Sequence, residues 1–267
     1  MRILLVTLGV LLAVSSGIGR AAVPEKYRLR VEYGPVKQQP KLEQLASTLK
    51  QGRVMEAIAD ALNVMIDWPV PVLLGVAQCG QSNAFYSKEH KSIVICYELI
   101  QQIVERVPTD RNLNGLTEDQ KSKAAIGALL TIILHESGHA LVDLYEIPVL
   151  GKEEDVADQI STYMLLGLPD SQMTVLGGVI YFSFGKPMFD IIGSTLVNNR
   201  NLADEHALNR QRAVNISCWA WGRDPKRYGY LAKVSGLTRE RAGRCAGEYS
   251  QLANAVNQLL GSHIHFQ

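Results

Sequence analysis

Long stretches of one charge are missing from this chain. Its 27 basic and 26 acidic residues nearly balance. No basic face is implied that would neutralise nucleic-acid phosphates, and no polyanionic or polycationic partner is called for. Cys-x-x-Cys is missing too. The four cysteines are Cys79, Cys96, Cys218 and Cys245, so neither a zinc ribbon nor a thioredoxin-like redox pair is supported. There is no internal repeat, no low-complexity tract and no calcium-loop pattern, and the stretch from Ala22 to Gln39 is too short to suggest a propeptide. Beyond the first residues no apolar run reads as a membrane span. The apolar stretches near 120–145 and 171–184 read as core.

What is present is an ordinary globular composition. An apolar fraction of 47% over 267 residues supplies a normal core and suits one large domain. The first residues differ from the rest. Arg2 precedes an apolar run from Ile3 to Val14, then small residues up to Ala21-Ala22. This pattern predicts a signal peptide over 1–21 and a single mature domain over 22–267, exported to the periplasm or secreted. An oxidising compartment makes two structural disulfides the expected use of four cysteines. Three pairings are possible. The sequence-local one, Cys79–Cys96 with Cys218–Cys245, is expected.

Tyr27, Leu29, Val31 and Tyr33 alternate with charged residues, which predicts an N-terminal strand. A helical pattern runs from Leu42 to Ile66, and a buried strand is expected over Val72–Ala77. Asn83–Tyr86 and Ser92–Tyr97 read as two strands around a polar turn, which would bring Cys96 back toward Cys79. A helix follows from Glu98 to Val107. Thr117-Glu118-Asp119-Gln120 has capping-box form and opens a long helix to about Tyr145. Further helical patterns cover 152–166, 171–184, 203–221 and 237–260. Strands first and helices later predict an α+β class. The strand-containing half spans 22–150 and carries the long helix that opens at Thr117; the helical half spans 151–267.

His135-Glu136-Ser137-Gly138-His139 lies inside the long helix. Four residues advance roughly 400° around a helix, so both imidazoles project from one face and can share one zinc ion. Glu136, on the adjoining face, is placed to take a proton from a zinc-bound water. Gly138 reads as keeping that side open for substrate. Catalytic zinc needs a third protein ligand. Glu154 and Asp158, four apart on the next predicted helix, divide the work: Glu154 binds the ion, and Asp158 holds the far nitrogen of a ligand histidine. Glu153 is the alternative third ligand. Arg212 reads as a solvated charge ahead of one that orients an acid or a substrate carboxylate, Tyr97 and Tyr145 as packing residues ahead of oxyanion donors, and His263 and His265 as a frayed end.

The pattern His135-Glu136-x-x-His139 followed by Glu154-x-x-x-Asp158 resembles the thermolysin-like gluzincin zinc peptidases. Asn83-Ala84-Phe85-Tyr86 resembles the edge strand on which those enzymes bind peptide backbone. More closely, the chain resembles a bacterial metallopeptidase-domain family without a defined substrate. That likeness runs through Cys79 to Leu99, the metal segment to Gln159, and Asp204-Glu205-His206, Gln211-Arg212 and Cys218. The resemblance implies a zincin-like fold with a small mixed sheet, one zinc ion per chain, and a peptide or protein substrate. The interval from His139 to Glu154 is shorter than in thermolysin. The late histidine that steadies the transition state there has no clear counterpart here. His206, oriented by Asp204, is the candidate for that role. A non-catalytic zinc module and a zinc hydrolase of a non-peptide amide remain as alternatives.

Overall fold

The computed structural model of the chain describes residues 27–184 and 209–266. Within them the class is α+β: a small mixed sheet against a mainly helical body. Strand β1 (Leu29–Tyr33) is followed by helices α1 (Pro40–Gln51) and α2 (Val54–Met65), then β2 (Val72–Ala77), β3 (Ala84–Ser87) and β4 (Ser92–Cys96). The sheet order is β1-β2-β4-β3. β1 and β4 pair parallel with β2, and β3 closes antiparallel on β4. Parallel pairing needs a crossover, and α1 and α2 supply the one between β1 and β2.

The expected continuous helix over 42–66 is two helices. Gly52 ends α1, and Arg53 adopts the left-handed region (φ 49°) before α2 begins. Glycine is a weak helix former, and the break lets two apolar faces, Leu42/Leu49 and Met55/Ile58/Leu62, be buried separately.

Helix α3 (Tyr97–Arg106) leads through two short 3-10 turns to α4 (Glu118–Leu144), which is 27 residues long. Thr117 and Gln120 form the reciprocal cap that starts it. By length and composition α4 could cross a bilayer, but most of its apolar stretch is buried inside the protein. Helices α5 (Glu153–Gly167) and α6 (Gln172–Ser183) pack against it. Then come α7 (Asn209–Arg223), the short α8 (Pro225–Tyr228) and α9 (Leu231–Ser235), and α10 (Arg239–Leu260).

Two disulfides join Cys79 to Cys96 and Cys218 to Cys245. The first follows from sheet register: Ala77 lies opposite Cys96, so Cys79 is just beyond. The second ties α7 to α10. Both fit an oxidising compartment.

The last residues are docked, correcting the expectation of a frayed end. Ile264 bridges Ile66 and is buried. Backbone bonds join Asp67 N–H to His263 O and His265 N–H to Met65 O. His265 Nε2 lies 2.8 Å from Asp67 Oδ2, and the His263 ring stacks on Tyr145 at 4.0 Å. A buried isoleucine and ladder-type bonds hold what helical periodicity does not reveal.

Candidate metal centre

Helices α4 and α5 form an antiparallel pair joined by the loop through Pro148 and Gly151. Gly138 lies where they touch. A Cβ there would stand 2.9 Å from Ala157 Cα and 3.0 Å from Ala157 O. The glycine therefore serves helix contact, not substrate access as the sequence suggested. Its missing side chain lets α5 approach until Glu154 meets both motif histidines.

His135 Nε2 lies 3.1 Å from Glu154 Oε2, and His139 Nε2 lies 3.3 Å from Glu154 Oε1. The two rings stand edge to face, centroids 4.9 Å apart. His135, His139 and Glu154 offer ligand atoms all within 4.8 Å of one another. The far nitrogens are engaged elsewhere. His135 Nδ1 is 2.9 Å from Asp158 Oδ1, and His139 Nδ1 is 2.8 Å from Glu153 Oε1. Carboxylates at both Nδ1 positions favour the tautomer with hydrogen on Nδ1. Each Nε2 then presents a lone pair to a carboxylate oxygen. Two acceptors at that distance need a proton or a cation between them. Ligands held about 2.0–2.1 Å from one tetrahedral ion lie roughly 3.3–3.4 Å apart, close to the two separations here. The donor set fits a divalent metal.

Asp158 is buried and anchored from a third helix. Arg212 of α7 donates from Nε to Oδ2 at 2.8 Å and from Nη2 to Oδ1 at 2.6 Å. Nη2 also lies 3.1 Å from His135 Nδ1. Both are donors in the metal-ready tautomer, and Asp158 Oδ1 accepts from both. Arg212 is buried, not solvated as its charge alone suggested, and its guanidinium stacks 4.0 Å from the Phe182 ring centroid. A signal was available. Arg212 shares a helical face with Ala213, Ile216 and Ala220, all buried, and an arginine on such a face needs a partner.

The electrostatics follow from burial and these contacts. Burial pushes the Glu136 carboxyl up, opposed by the two neighbouring imidazoles. For His139 burial acts downward, but the carboxylates of Glu154 and Glu153 outweigh it and hold the ring up at about 9. Asp158 is pushed up by burial but ends below the usual range, because His135 and Arg212 stabilise its charge.

A family model described as "Putative metallopeptidase" matches residues 33–260. The chain belongs to that metallopeptidase family. Neither the curated proteins nor the solved structures give a match. The metallopeptidase match covers both helices of the cluster and the helix of Arg212, and stops before the docked tail.

The remaining expected residues fall as follows. Ala84, Phe85 and Tyr86 lie in β3, the last strand in the sheet order; Asn83 just precedes it, its carbonyl accepting from Cys96 N–H. Phe85 is 43% exposed. Asp204 and His206 lie outside the described residues. Tyr97 and Tyr145 turn their hydroxyls to backbone carbonyls of Gly34 and Asp67, away from the cluster. A cavity of about 340 Å³ lies between α1, α3 and the first half of α4, lined by residues such as Leu45, Ile103 and Leu129. No cluster residue lines it.

Proposed function

We propose that this metallopeptidase family member is an exported zinc peptidase of gluzincin type with a zincin-like fold. The single observation that carries the reading is that His135 and His139 both turn Nε2 to the carboxylate of Glu154 while carboxylates occupy both Nδ1 atoms. His135, His139 and Glu154 would hold the ion. When bound, zinc supplies Lewis-acid polarisation of the scissile carbonyl and a water of lowered pKa.

The chain's own groups do the rest. Glu136, buried beside the histidines with its carboxyl pushed up, takes the proton of the attacking water and delivers it to the leaving amine. Asp158 fixes the His135 ring through Nδ1. β3 is the last strand in the sheet order, with no further strand paired to it among the described residues, and an extended peptide can add there as a further strand, with Asn83–Tyr86 along the contact. His206, oriented by Asp204, is the proposed donor to the developing oxyanion. Export over a signal peptide at 1–21, followed by one mature domain from residue 22, accords with the two disulfides.

The test pairs metal analysis of the purified protein with a peptide-library digest, for the parent and for Glu136→Gln. The expected result is one zinc per chain in both, with cleavage in the parent alone. Zinc in both without cleavage by either would leave the ion a structural role or a non-peptide substrate. A protein that takes up no divalent metal would end the reading.

A further inference from the structure

The two histidines of the metal centre are supported differently. His135 leans on Asp158, itself buried and clamped by Arg212 from the core. His139 leans on Glu153, whose side chain is 32% exposed and whose other oxygen, Oε2, lies 3.4 Å from Lys88 Nζ. Lys88 sits in the turn between β3 and β4. That hairpin holds α4 as well: the Tyr86 hydroxyl donates to Asp143 Oδ2 at 2.8 Å, and Lys91 Nζ to the same oxygen at 2.7 Å. Asp143 is one helical turn beyond His139. The hairpin that carries the proposed substrate strand thus touches both metal-bearing helices, and the contact from its turn runs through Glu153 to the ring of a ligand.

We propose that Lys88 and Glu153 are positioning residues that set the orientation of His139 from the β3–β4 hairpin, so that the strand on which substrate adds and the affinity of the ion are linked. The inference rests on the peptidase reading above. A carboxylate at Nδ1 makes a ligand imidazole more basic and fixes its ring, and such partners are commonly worth tenfold to a hundredfold in metal affinity. The lysine acts at one remove. Its side chain is 59% exposed, and exposed pairs contribute little by themselves. Its effect must therefore pass through Glu153. Linkage is reciprocal: whatever moves the hairpin changes how firmly the ion is held, and the ion steadies the hairpin. The rigid support at His135 keeps the ion in place while the adjustable support at His139 responds to the strand.

The experiment measures zinc affinity by chelator competition and the visible spectrum of the cobalt-substituted protein. The set is the parent, Lys88→Ala, Glu153→Ala, Glu153→Gln and the double Lys88→Ala/Glu153→Ala, with thermal melting of each metal-free form. Glu153→Ala is expected to weaken zinc binding by about tenfold to a hundredfold. Glu153→Gln keeps an acceptor for Nδ1–H and recovers most of that loss. Lys88→Ala weakens binding by about twofold to fivefold, and this effect disappears once Glu153 is alanine. The cobalt spectrum shifts in Glu153→Ala; metal-free melting stays put in Lys88→Ala and falls in Glu153→Ala only below about pH 9, where Glu153 also pairs with protonated His139. A purely structural role would leave the cobalt spectrum in place, lower metal-free melting above that pH as well, and give no rescue of zinc affinity by glutamine. The proposal is overturned, with the peptidase reading intact, if the parent binds zinc and Glu153→Ala binds it equally well. It is likewise overturned if the Lys88 effect survives without Glu153. A parent that binds no zinc removes both.

Discussion

Arg212 and Asp158 make a two-pronged ion pair across α7 and α5, with both side chains only 7% exposed. Such a pair is costly to break from one side, because the survivor stays buried without a countercharge. Arg212→Met should lower stability by roughly 3–5 kcal/mol in urea unfolding. Arg212→Lys should restore little, since an ammonium lacks the fork that reaches both oxygens. A loss below about 1 kcal/mol, the scale of an exposed pair, would show that the pair is open to water.

Gly138 sets the spacing of α4 and α5. Gly138→Ala places a methyl 2.9 Å from Ala157 Cα, in backbone that cannot rotate away. The helices must part, and Glu154 moves with α5. The expected outcome is weaker zinc binding in chelator competition, although alanine is the better helix former by about 1 kcal/mol. Unchanged affinity would mean that Glu154 reaches the histidines without close helix contact.

The metal-free protein should lose stability in alkali through His139. Its folded pKa of about 9 stands above the ordinary 6.5. A raised folded pKa contributes stability that is fully present below about 6.5 and is lost as pH rises through about 9. Melting temperatures of metal-free protein across that window should fall, and the part due to His139 should be absent in His139→Gln. An identical slope in the variant would contradict the assignment. Zinc binding, by displacing the same proton, should strengthen over the same window.

The Cys218–Cys245 bridge closes a separation of 27 residues. Chain-entropy reasoning puts the loss from replacing both cysteines with alanine at about 3–4 kcal/mol. Non-reducing peptide mapping should find this link and Cys79–Cys96, with no free thiol.

Much of the centre was legible in the sequence because its signals are local. His135 and His139 share a face by helical spacing alone, and Glu154 and Asp158 repeat that spacing on the next helix. The strand at 29–33 showed in alternation, that at 72–77 as a buried apolar run, and the pair within 84–96 in the polar turn between them. Other features depend on what an element meets, which periodicity does not encode. Gly138 looked like an opening for substrate and is a contact with Ala157. Arg212 looked solvated because its partner lies 54 positions earlier, although the apolar residues around it carried a hint. Glu153 was weighed as a ligand, and its single step from Glu154 turns it to the outer nitrogen of His139. The tail held no periodic signal, and its docking depends on Ile66 and Asp67 far away in the chain.

His135 and Glu154 are 19 positions apart, whereas the guanidinium that neutralises Asp158 arrives from 54 positions further on. Neighbouring helices with a short link can close early, before distant segments join. The order of assembly then has a chemical side. The three donors can gather while Asp158 still lacks its countercharge, and a cation captured at that stage would offset the negative charge that α7 later balances. Refolding with and without zinc should therefore differ in rate as well as in final stability.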